Sequence, residues 1–463
     1  ATVSRINPTA MRFMVSPTVA EAICAVNLPP APFCAKITRT MDTHDAISRH
    51  LDLDYAHPVR DPIWKNIHLS DPLLKLIDTA PYRQLSRIKQ LGPAYLVYPG
   101  ATHTRLSHSL GVFHLAKRII KTLVSISPDS ILTVDGVKAF LTAALLHDLG
   151  HFPYTHSFKE LPLTEHESLT GELVLESPVR EILRDDVRVD PHLVSAVVDE
   201  SADHTGDPQL AFFRNVLSGA LDPDKLDYLN RDAYFCGVPY GEQDIDFALS
   251  RIFPVWDKGI GLDVTGISAV ENILFSKYLM YRAVYWHRTV RVATAMIKKA
   301  VYLALREEVI APSALYGLDD ELFFLTLDRA QFDAFDLIER VYDRQLYRPV
   351  FETPFDEQNP RHRELESLDA RAALEERIAE RLAARARGRF GPESVIVDVP
   401  ERISFEVSIP VRDGEQVMPY PESDTVFTPQ VVADFTATLR KIRLIVHPAL
   451  TSHVHDAAEL LEL

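Results

Sequence analysis

Hydrophobic residues recur at helical spacing through the middle of the chain, from about residue 70 to residue 310. In the stretch 104–123 the apolar positions fall three or four residues apart, which predicts a helix with one buried face. The stretch 137–149 is strongly apolar and stops near Gly150, a pattern that predicts a buried helix. Residues 269–305 are rich in aromatic side chains and predict one or two long helices.

Two aspartates that each precede a proline mark where further helices begin. Asp71 and Asp222 both fit an N-cap residue followed by proline in the first turn. The first predicts a helix over residues 73–91. The second predicts a helix that runs to about Phe235.

The last third of the chain has a different pattern. Residues 370–389 are charged and alanine-rich, which is typical of an exposed helix. Residues 394–399 and 403–409 alternate in the manner of strands, and 441–446 predict a further strand. We therefore expect a mainly α protein, with a helical body and a small mixed α/β lobe at its C-terminal end.

These patterns divide the chain into three predicted parts. They are an N-terminal extension over residues 1–45, a helical core over 46–310 and a C-terminal α/β lobe over 311–463. The extension contains a proline-broken run, 27–33, that has no helical period. We interpret the extension as disordered or non-native, with Met41 as the natural start.

Charge and cysteine content narrow the choice of partners and compartment. The 463 residues include 49 Lys and Arg and 65 Asp and Glu, a net charge of −16 with the histidines neutral. Such a field repels phosphate and argues against nucleic-acid binding. The 3 cysteines form no CxxC pair, which fits a reducing, cytoplasmic compartment. No apolar run of about 18–20 residues is present, so we expect no membrane span.

Histidine is the unusual component of this composition. Of 18 histidines, several fall in one window: His103, His108, His114, His147, His151, His156 and His166. Such clustering suggests metal or acid–base chemistry, although any single histidine is more often a structural residue.

The pair His147-Asp148 stands at the end of the predicted buried helix. An unpaired carboxylate would be costly there, so Asp148 needs a cationic partner. Upstream, Arg105 and His108 lie three residues apart and share a helix face. These two stretches together offer nitrogen ligands, a carboxylate and a cation.

A third predicted helix adds oxygen ligands. Asp224, Tyr228 and Asp232 recur every four residues and form one stripe, with Lys225 beside it. Imidazole nitrogens and carboxylate oxygens in combination suit a divalent cation. Arg105 and Lys225 would then meet the charge of a phosphate group.

Three motifs in these stretches resemble a known family. HTRLSHSLG begins at His103, HDLGHFPYTH at His147 and DPDKLDYLNRD at Asp222. With the tripeptide QLG at position 90, they resemble the HD-domain deoxynucleoside triphosphate triphosphohydrolases. This family includes bacterial dNTPases and the mammalian enzyme with sterile-alpha-motif and HD domains. The resemblance covers about residues 57–300 and implies that the predicted core is an HD domain.

The resemblance implies one divalent cation per subunit, which is Mn²⁺, Mg²⁺ or Fe²⁺. Its implied ligands are His108, His147, Asp148 and Asp224. The implied reaction is attack of an activated water on the α-phosphorus of a dNTP, which releases a deoxynucleoside and intact triphosphate.

The resemblance also implies residues around the substrate. Those predicted to bind it are Arg105, Lys225, Gln90, Leu91, Tyr228, Asp232 and Tyr285. Those predicted to be catalytic are His156, His166, His151 and Glu167. His156 is the candidate general acid for the 5′ oxygen, supported by His166 and Glu167. Leu91 and Tyr285 would leave no room for a 2′-hydroxyl group and so favour deoxyribose.

The sequence departs from the family pattern at two places. Lys159 stands where the family often has an aspartate that pairs with the acid histidine, which leaves His166 as an alternative proton donor. At the guanine-activator pocket Asp78 is retained, but Arg83 and Ser86 replace its partners. Whether a nucleotide activates the protein therefore stays open. The resemblance also implies a homotetramer.

Two other functions remain open on the residues alone. The same metal site would serve a phosphohydrolase that acts on another nucleotide, such as a monophosphate or a cyclic nucleotide. The second alternative is a nucleotide-sensing or nucleic-acid-binding protein with weak hydrolysis, against which the acidic charge argues.

Overall fold

The computed structural model describes residues 32–127, 130–202, 207–405 and 408–463, with the backbone alone over 32–42. Of the predicted extension over residues 1–45, residues 1–31 lie outside this description, and the chain is helical from Pro32. The proposed start at Met41 and the three-part division of the chain stay predictions.

Helices dominate the described residues. The α-helices are α1 (Pro32–Leu53), α2 (Asp71–Ile77), α3 (Ala80–Gln84), α4 (Arg105–Ile126), α5 (Val134–Leu146), α6 (His166–Val174), α7 (Val179–Ile182), α8 (Pro191–Val198), α9 (Pro208–Leu217), α10 (Pro223–Cys236), α11 (Ile245–Ser250), α12 (Ile267–Met280), α13 (Arg288–Arg306), α14 (Asp320–Arg329), α15 (Asp336–Tyr342), α16 (Pro360–Glu364), α17 (Leu368–Ala386), α18 (Pro429–Leu439) and α19 (Ala457–Leu460). π-Helical turns lie at Leu183–Val187 and Tyr281–Tyr285.

Strands are short and form three small sheets. They are β1 (His57–Asp61), β2 (Lys65–Leu69), β3 (Ile252–Val255), β4 (Gly259–Asp263), β5 (Arg348–Pro354), β6 (Val395–Asp398), β7 (Pro410–Asp413), β8 (Gln416–Pro419) and β9 (Lys441–Val446). The sheet orders are β1-β2, β3-β4-β7-β8 and β5-β9-β6. The helical body with a small C-terminal α/β region confirms the predicted fold class.

Helix α5 lies in the middle of the body because its apolar residues cover nearly the whole helix surface. Its side chains from Val137 to Leu146 are buried except Lys138, and Thr133 caps its first turn by accepting from the amide of Gly136. Helix α4 packs against α5 on one side and against α10 on another. This arrangement brings the ends of three sequence-distant helices together at one place.

One sequence-predicted helix differs in extent from the structure. The predicted helix over residues 73–91 is wrong, because the chain breaks between α2 and α3 and continues as a 3₁₀ turn. Pro81 lies at the start of α3, where proline suits a first turn but not a helix interior. The aromatic stretch 269–305 forms two helices, α12 and α13, joined by the π-helical turn. The predicted cap at Asp222 is confirmed, since its carboxylate accepts from the amide of Lys225 at 2.6 Å.

The C-terminal sheet is antiparallel and has β9 in its centre. The register pairs Val446 with both Arg348 of β5 and Val395 of β6. The predicted strands over 394–399 and 441–446 are confirmed. The predicted strand over 403–409 is wrong in its described residues, where Ile403 and Phe405 are buried against Tyr278 of α12 without a partner strand.

The C-terminal region is connected to the body through a sheet and through buried ion pairs. Strand β4 pairs in parallel with β7, so that Leu262 faces Val411. Arg291 of α13 binds the carboxylate of Asp398 at the end of β6. These contacts place the segment after β6 beside the cavity described next.

Candidate metal centre and substrate cavity

A cavity of about 660 Å³ opens where the three motif-bearing helices meet the C-terminal region. Its volume is ordinary for a small-molecule site. The predicted site residues that line it are Gln90, Leu91, Arg105, His108, His147, Asp148, His156, His166, Glu167, Asp224, Tyr228, Asp232 and Tyr285. His151 lies behind this wall, and Lys225 is turned away from it.

Three predicted ligands converge at the floor of the cavity. His108 projects from the first turn of α4, His147 ends α5, and Asp224 lies in the first turn of α10. Their ligand atoms lie within 4.8 Å of one another. The Nε2 atoms of His108 and His147 are 2.9 Å and 3.7 Å from Oδ1 of Asp224.

Asp148, the fourth predicted ligand, lies against this cluster. Its Oδ1 is 3.3 Å from Nε2 of His147, and its Oδ2 accepts from Nη1 of Arg105 at 2.9 Å. Arg105 thus supplies the cation that a buried carboxylate requires. Charges of His147 and Arg105 lower the pKa of Asp148 despite its burial.

The donor set fits a divalent cation. Nε2 of His147 is buried and has no hydrogen-bond partner among the described residues. Burial opposes a charged His108, but hydrogen bonds to Asp224 and Asp227 outweigh it and raise its pKa to about 10. The site therefore attracts positive charge, which a metal ion supplies in place of protons. Two imidazoles and two carboxylates suit a borderline or hard divalent ion.

Asp227 orients His108 and was not found by the sequence reasoning. Its Oδ2 lies 2.8 Å from Nδ1 of His108, and both of its oxygens accept from the guanidinium of Arg231. Arg231 in turn binds Asp61 at 2.8 Å. Burial opposes ionisation, but Arg231 and His108 lower the pKa of Asp227 to about 2. In the sequence, the four-residue spacing of Asp227 and Arg231 could have indicated that the two side chains pair on one helix face.

Three imidazoles form a second cluster beside the first. The Nε2 atoms of His151 and His156 are 3.2 Å apart, and the rings of His151 and His166 are 3.9 Å apart between centroids. Nδ1 of His166 lies 3.0 Å from Oε2 of Glu167. Burial and the Arg105 charge hold the pKa of His151 well below the usual range, and the enclosing cavity wall together with Arg105 lowers the pKa of the cavity-exposed His156 in the same direction. These two rings are neutral at pH 7 in the free protein.

His156, the predicted general acid, has no carboxylate partner among the described residues. Lys159, at the position that departs from the family pattern, lines the cavity and has no carboxylate within 4.0 Å in that part of the chain. The next residue, Glu160, is acidic but binds Lys298 and Arg371 instead of His156. The side chain of His156 itself faces the cavity.

Asp232 is held by two neighbours at the opposite wall. Nε2 of His103 lies 2.8 Å from its Oδ1, and the hydroxyl of Tyr285 donates to its Oδ2 at 2.7 Å. His103 received no role from the sequence, although it begins a motif. Oε1 of Gln90 is buried without a partner among the described residues, which leaves it available to a ligand.

Lys225 and Lys277 differ in their relation to the cavity, because Lys277 lines it and Lys225 is turned away from it. Lys225 binds the carboxylate of Asp222 and donates to the carbonyl of Gly219 at 3.0 Å. Lys277 lines the cavity and donates to the carbonyl of Ser404 at 2.7 Å. Burial and the charge of Lys225 lower the pKa of Lys277 to about 8. Lys277 lies eight residues before Tyr285 along the chain, and this spacing could have indicated that the two side chains share a helix face.

Comparisons with known proteins agree with this arrangement. A profile described as HD domain matches residues 105–229, and one described as HD associated region matches residues 249–457. The chain is also 33% identical to the Bacillus subtilis protein YwfO over 342 residues, which are 68% of this chain and 76% of that protein. The chain belongs to the HD-domain family.

Other relatives of this HD-domain protein are more distant. It is 30% identical over 276 residues to a zebrafish (Danio rerio) protein named deoxynucleoside triphosphate triphosphohydrolase SAMHD1. That alignment covers 52% of this chain and 44% of the zebrafish protein. A crystal structure of a hypothetical protein from Aquifex aeolicus has a TM-score of 0.65 and 28% identity, with 86% of this chain and 98% of that one covered.

The two matched regions supply much of the cavity wall, while Gln90, Leu91 and Asp232 lie outside both matches. The HD-domain match begins at Arg105 and includes His108, His147, Asp148 and Asp224. The associated region adds the other wall, which includes Lys277 and Tyr285. Of the helices that the structure describes, none is both long and apolar enough to cross a bilayer.

Proposed function

We propose that this HD-domain protein hydrolyses deoxynucleoside triphosphates to a deoxynucleoside and triphosphate. The convergence of His108, His147, Asp148 and Asp224 at the floor of one cavity carries the proposal. Membership of the HD-domain family supports a metal-dependent phosphohydrolase, and the similarity to a protein named as a triphosphohydrolase supports this substrate.

The four converging side chains would hold one divalent ion, Mn²⁺, Mg²⁺ or Fe²⁺. Such an ion, when bound, makes a water molecule more acidic and neutralises phosphoryl charge. Arg105 fixes Asp148 in this arrangement, and Asp227 fixes His108. Both contacts reduce the reorganisation that binding an ion requires.

Cationic side chains on two walls would receive the triphosphate. Arg105 has a buried Nε without a partner among the described residues, and Lys277 faces the cavity. Lys225 reaches the substrate by leaving Asp222. Fixed positive charges next to the phosphoryl oxygens stabilise the charge that develops on them during the reaction.

His156 is positioned to give a proton to the departing 5′ oxygen. It is neutral in the free protein, and the negative charge of a bound triphosphate raises its pKa towards the protonated form. His151 lies 3.2 Å away between Nε2 atoms, so that one of the two rings donates to the other. His166, supported by Glu167, is the alternative donor.

The opposite wall would select the sugar. Asp232 and Gln90 present oxygens to the 3′-hydroxyl group, and Tyr228 lines the cavity near them. Leu91 and Tyr285 would exclude a 2′-hydroxyl group by their bulk. This part of the cavity predicts hydrolysis of deoxyribonucleotides in preference to ribonucleotides.

Product analysis tests the proposal. The full chain is incubated with each dNTP and NTP and with Mn²⁺ or Mg²⁺, and products are separated by ion-exchange chromatography. We expect triphosphate and deoxynucleoside, and none from an Asp148→Ala variant. The control is Asp246→Ala, which removes an exposed carboxylate of α11 that binds Arg118 of α4. Release of orthophosphate or pyrophosphate, or hydrolysis confined to monophosphates or cyclic nucleotides, contradicts it.

The assembly and regulation implied by the resemblance stay predictions. A homotetramer and a nucleotide activator are both tested by light scattering of the full chain with and without each dNTP. The absence of a nucleic-acid partner is tested by binding of single-stranded oligonucleotides at two salt concentrations.

A further inference from the structure

The turn that carries His156 is attached to the rest of the protein at two points. The first is Phe158, which is fully buried in an apolar cluster that includes Met296 of α13, while the hydroxyl of Thr155 donates to the carbonyl of Phe152 at 2.5 Å within the segment itself. The second, toward the C-terminal region, is Glu160, four residues after His156.

Glu160 receives two cations from two different helices. Nζ of Lys298, on α13, donates to its Oε2 at 2.6 Å. Nη2 of Arg371, on α17, donates to the same oxygen at 2.8 Å. Burial opposes the charge of Glu160, but these two cations outweigh it and lower its pKa. One carboxylate thus joins the turn to both helices.

Arg371 depends on this contact. Its side chain is 3% exposed, and Glu160 is its ion-pair partner among the described residues. A second buried pair joins Lys299, the residue after Lys298, to Glu375, one turn after Arg371, and Glu375 also accepts from the amide of Val397 at 2.7 Å. This second pair holds α17 in register against α13, so the position of Arg371 is fixed by the C-terminal region.

We propose that Arg371 and Glu160 are positioning residues that set the place of His156 in the cavity. Neither side chain lines the cavity, so both act through the turn and not on the substrate. The inference rests on the proposed function, in which His156 must meet the 5′ oxygen. Displacement of a proton donor by about 1 Å can cost about a hundredfold in rate.

Steady-state kinetics of matched variants on α17 test the inference. Arg371→Met removes the charge and keeps the stem, and we expect kcat to fall at least tenfold with KM changed less than threefold. Arg371→Lys restores a cation and recovers kcat to within threefold. The control is Arg377→Met, because Arg377 is 52% exposed on the same helix and binds Glu462. Equal kcat in Arg371→Met and Arg377→Met overturns the inference.

The double variant Glu160→Gln/Arg371→Met separates positioning from simple stability. It leaves Lys298 as the one charged member of this cluster, and the thermal midpoints of the single and double variants are measured beside kcat so that a loss of stability is seen separately from a loss of rate. We expect kcat to stay at least tenfold low, because the link is still missing. A double variant with full kcat overturns the inference. Where Arg371→Met does not fold, Glu160→Gln takes its place and carries the same expectation.

Hydrogen exchange gives a readout that needs no substrate. We expect amides of residues 151–161 to exchange at least tenfold faster in Arg371→Met than in Arg377→Met. Unchanged exchange overturns the inference even if the protein hydrolyses dNTPs. Faster exchange in a protein that hydrolyses no dNTP supports the link and refutes the proposed function.

Discussion

Asp227 stands between His108, a predicted metal ligand, and the interior of the protein. It holds Nδ1 of His108, while Arg231 and Trp64 occupy its other acceptor positions. An imidazole whose second nitrogen is held by a carboxylate is a stronger and better oriented ligand. The strength of the metal site is therefore set partly by a residue that does not touch the metal.

Asp227→Asn should weaken metal binding about 10–100-fold. The amide keeps the size of the side chain but loses the charge that favours His108 as a ligand. Mn²⁺ titration followed by calorimetry measures the change. Asp246→Asn, an exposed carboxylate paired with Arg118, is the control. An unchanged dissociation constant contradicts the assigned orienting role.

His114 should contribute to acid sensitivity below neutral pH. Its ring stacks on Trp64, and burial together with Arg118 lowers its pKa to about 4. The unfolded chain therefore binds this proton first, so stability falls as pH decreases from about 6.5 towards 4. His114→Phe should show a smaller loss of urea midpoint between pH 7 and pH 5 than the unaltered protein or the exposed-site variant His192→Phe. An equal loss contradicts this prediction.

At the scale of elements, α4 and α10 cross at Gly111. A Cβ atom there would lie 1.8 Å from Oδ1 of Asp227 and 2.6 Å from Nη2 of Arg231. The helices approach so closely only because this position has no side chain. The crossing keeps His108 of α4 next to Asp224 of α10.

Gly111→Ala should therefore destabilise the protein, although alanine normally favours a helix. Overpacking costs about 1–3 kcal/mol, which exceeds the intrinsic gain of about 1 kcal/mol. The shift of α10 should also reduce bound metal, measured by elemental analysis beside urea unfolding. Ser125→Ala on the exposed face of α4 is the control. A more stable variant with full metal content contradicts the predicted clash.

Patterns among neighbouring residues predicted the helices that carry the site, whereas contacts between distant residues determine the remaining features of the fold and the site. The cap at Asp222 and the apolar length of α5 are properties of neighbouring residues, so sequence reasoning located both. The alternation of apolar residues at 403–409 reflects the burial of Ile403 and Phe405 against α12. An alternating pattern alone cannot distinguish such a buried extended segment from a strand. His103 and Lys277 acquire their places from residues more than a hundred positions away, and their roles stay predictions.

On the scale of the whole molecule, α13 joins the helical body to the C-terminal sheet through Asp398. This buried carboxylate binds Arg291 and lies 3.3 Å from Nη1 of Arg443. Burial opposes its charge, but both guanidinium groups outweigh burial and lower its pKa. The joint between the two regions is therefore charged at neutral pH.

Asp398→Asn should destabilise the protein by about 3–5 kcal/mol at pH 7, because buried Arg291 loses its ion-pair partner and Arg443 is left with Glu352. The folded pKa of Asp398 lies below the unfolded value of 3.8, so its contribution is present above that value and is lost as pH falls below it. The variant should thus lose less stability than the unaltered protein between pH 5 and pH 3. Urea unfolding at both pH values measures this, with Asp246→Asn as control, and equal losses contradict it.

The parallel pairing of β4 with β7 has a practical consequence for dissection of this protein. It joins Leu262 to Val411 across about 150 residues of chain. A fragment that stops near residue 310 would expose the bare edge of β4 to other molecules, and exposed edges favour aggregation. Truncated genes are then poor starting material, and separately produced halves would have to reassemble by strand complementation before either could be assayed.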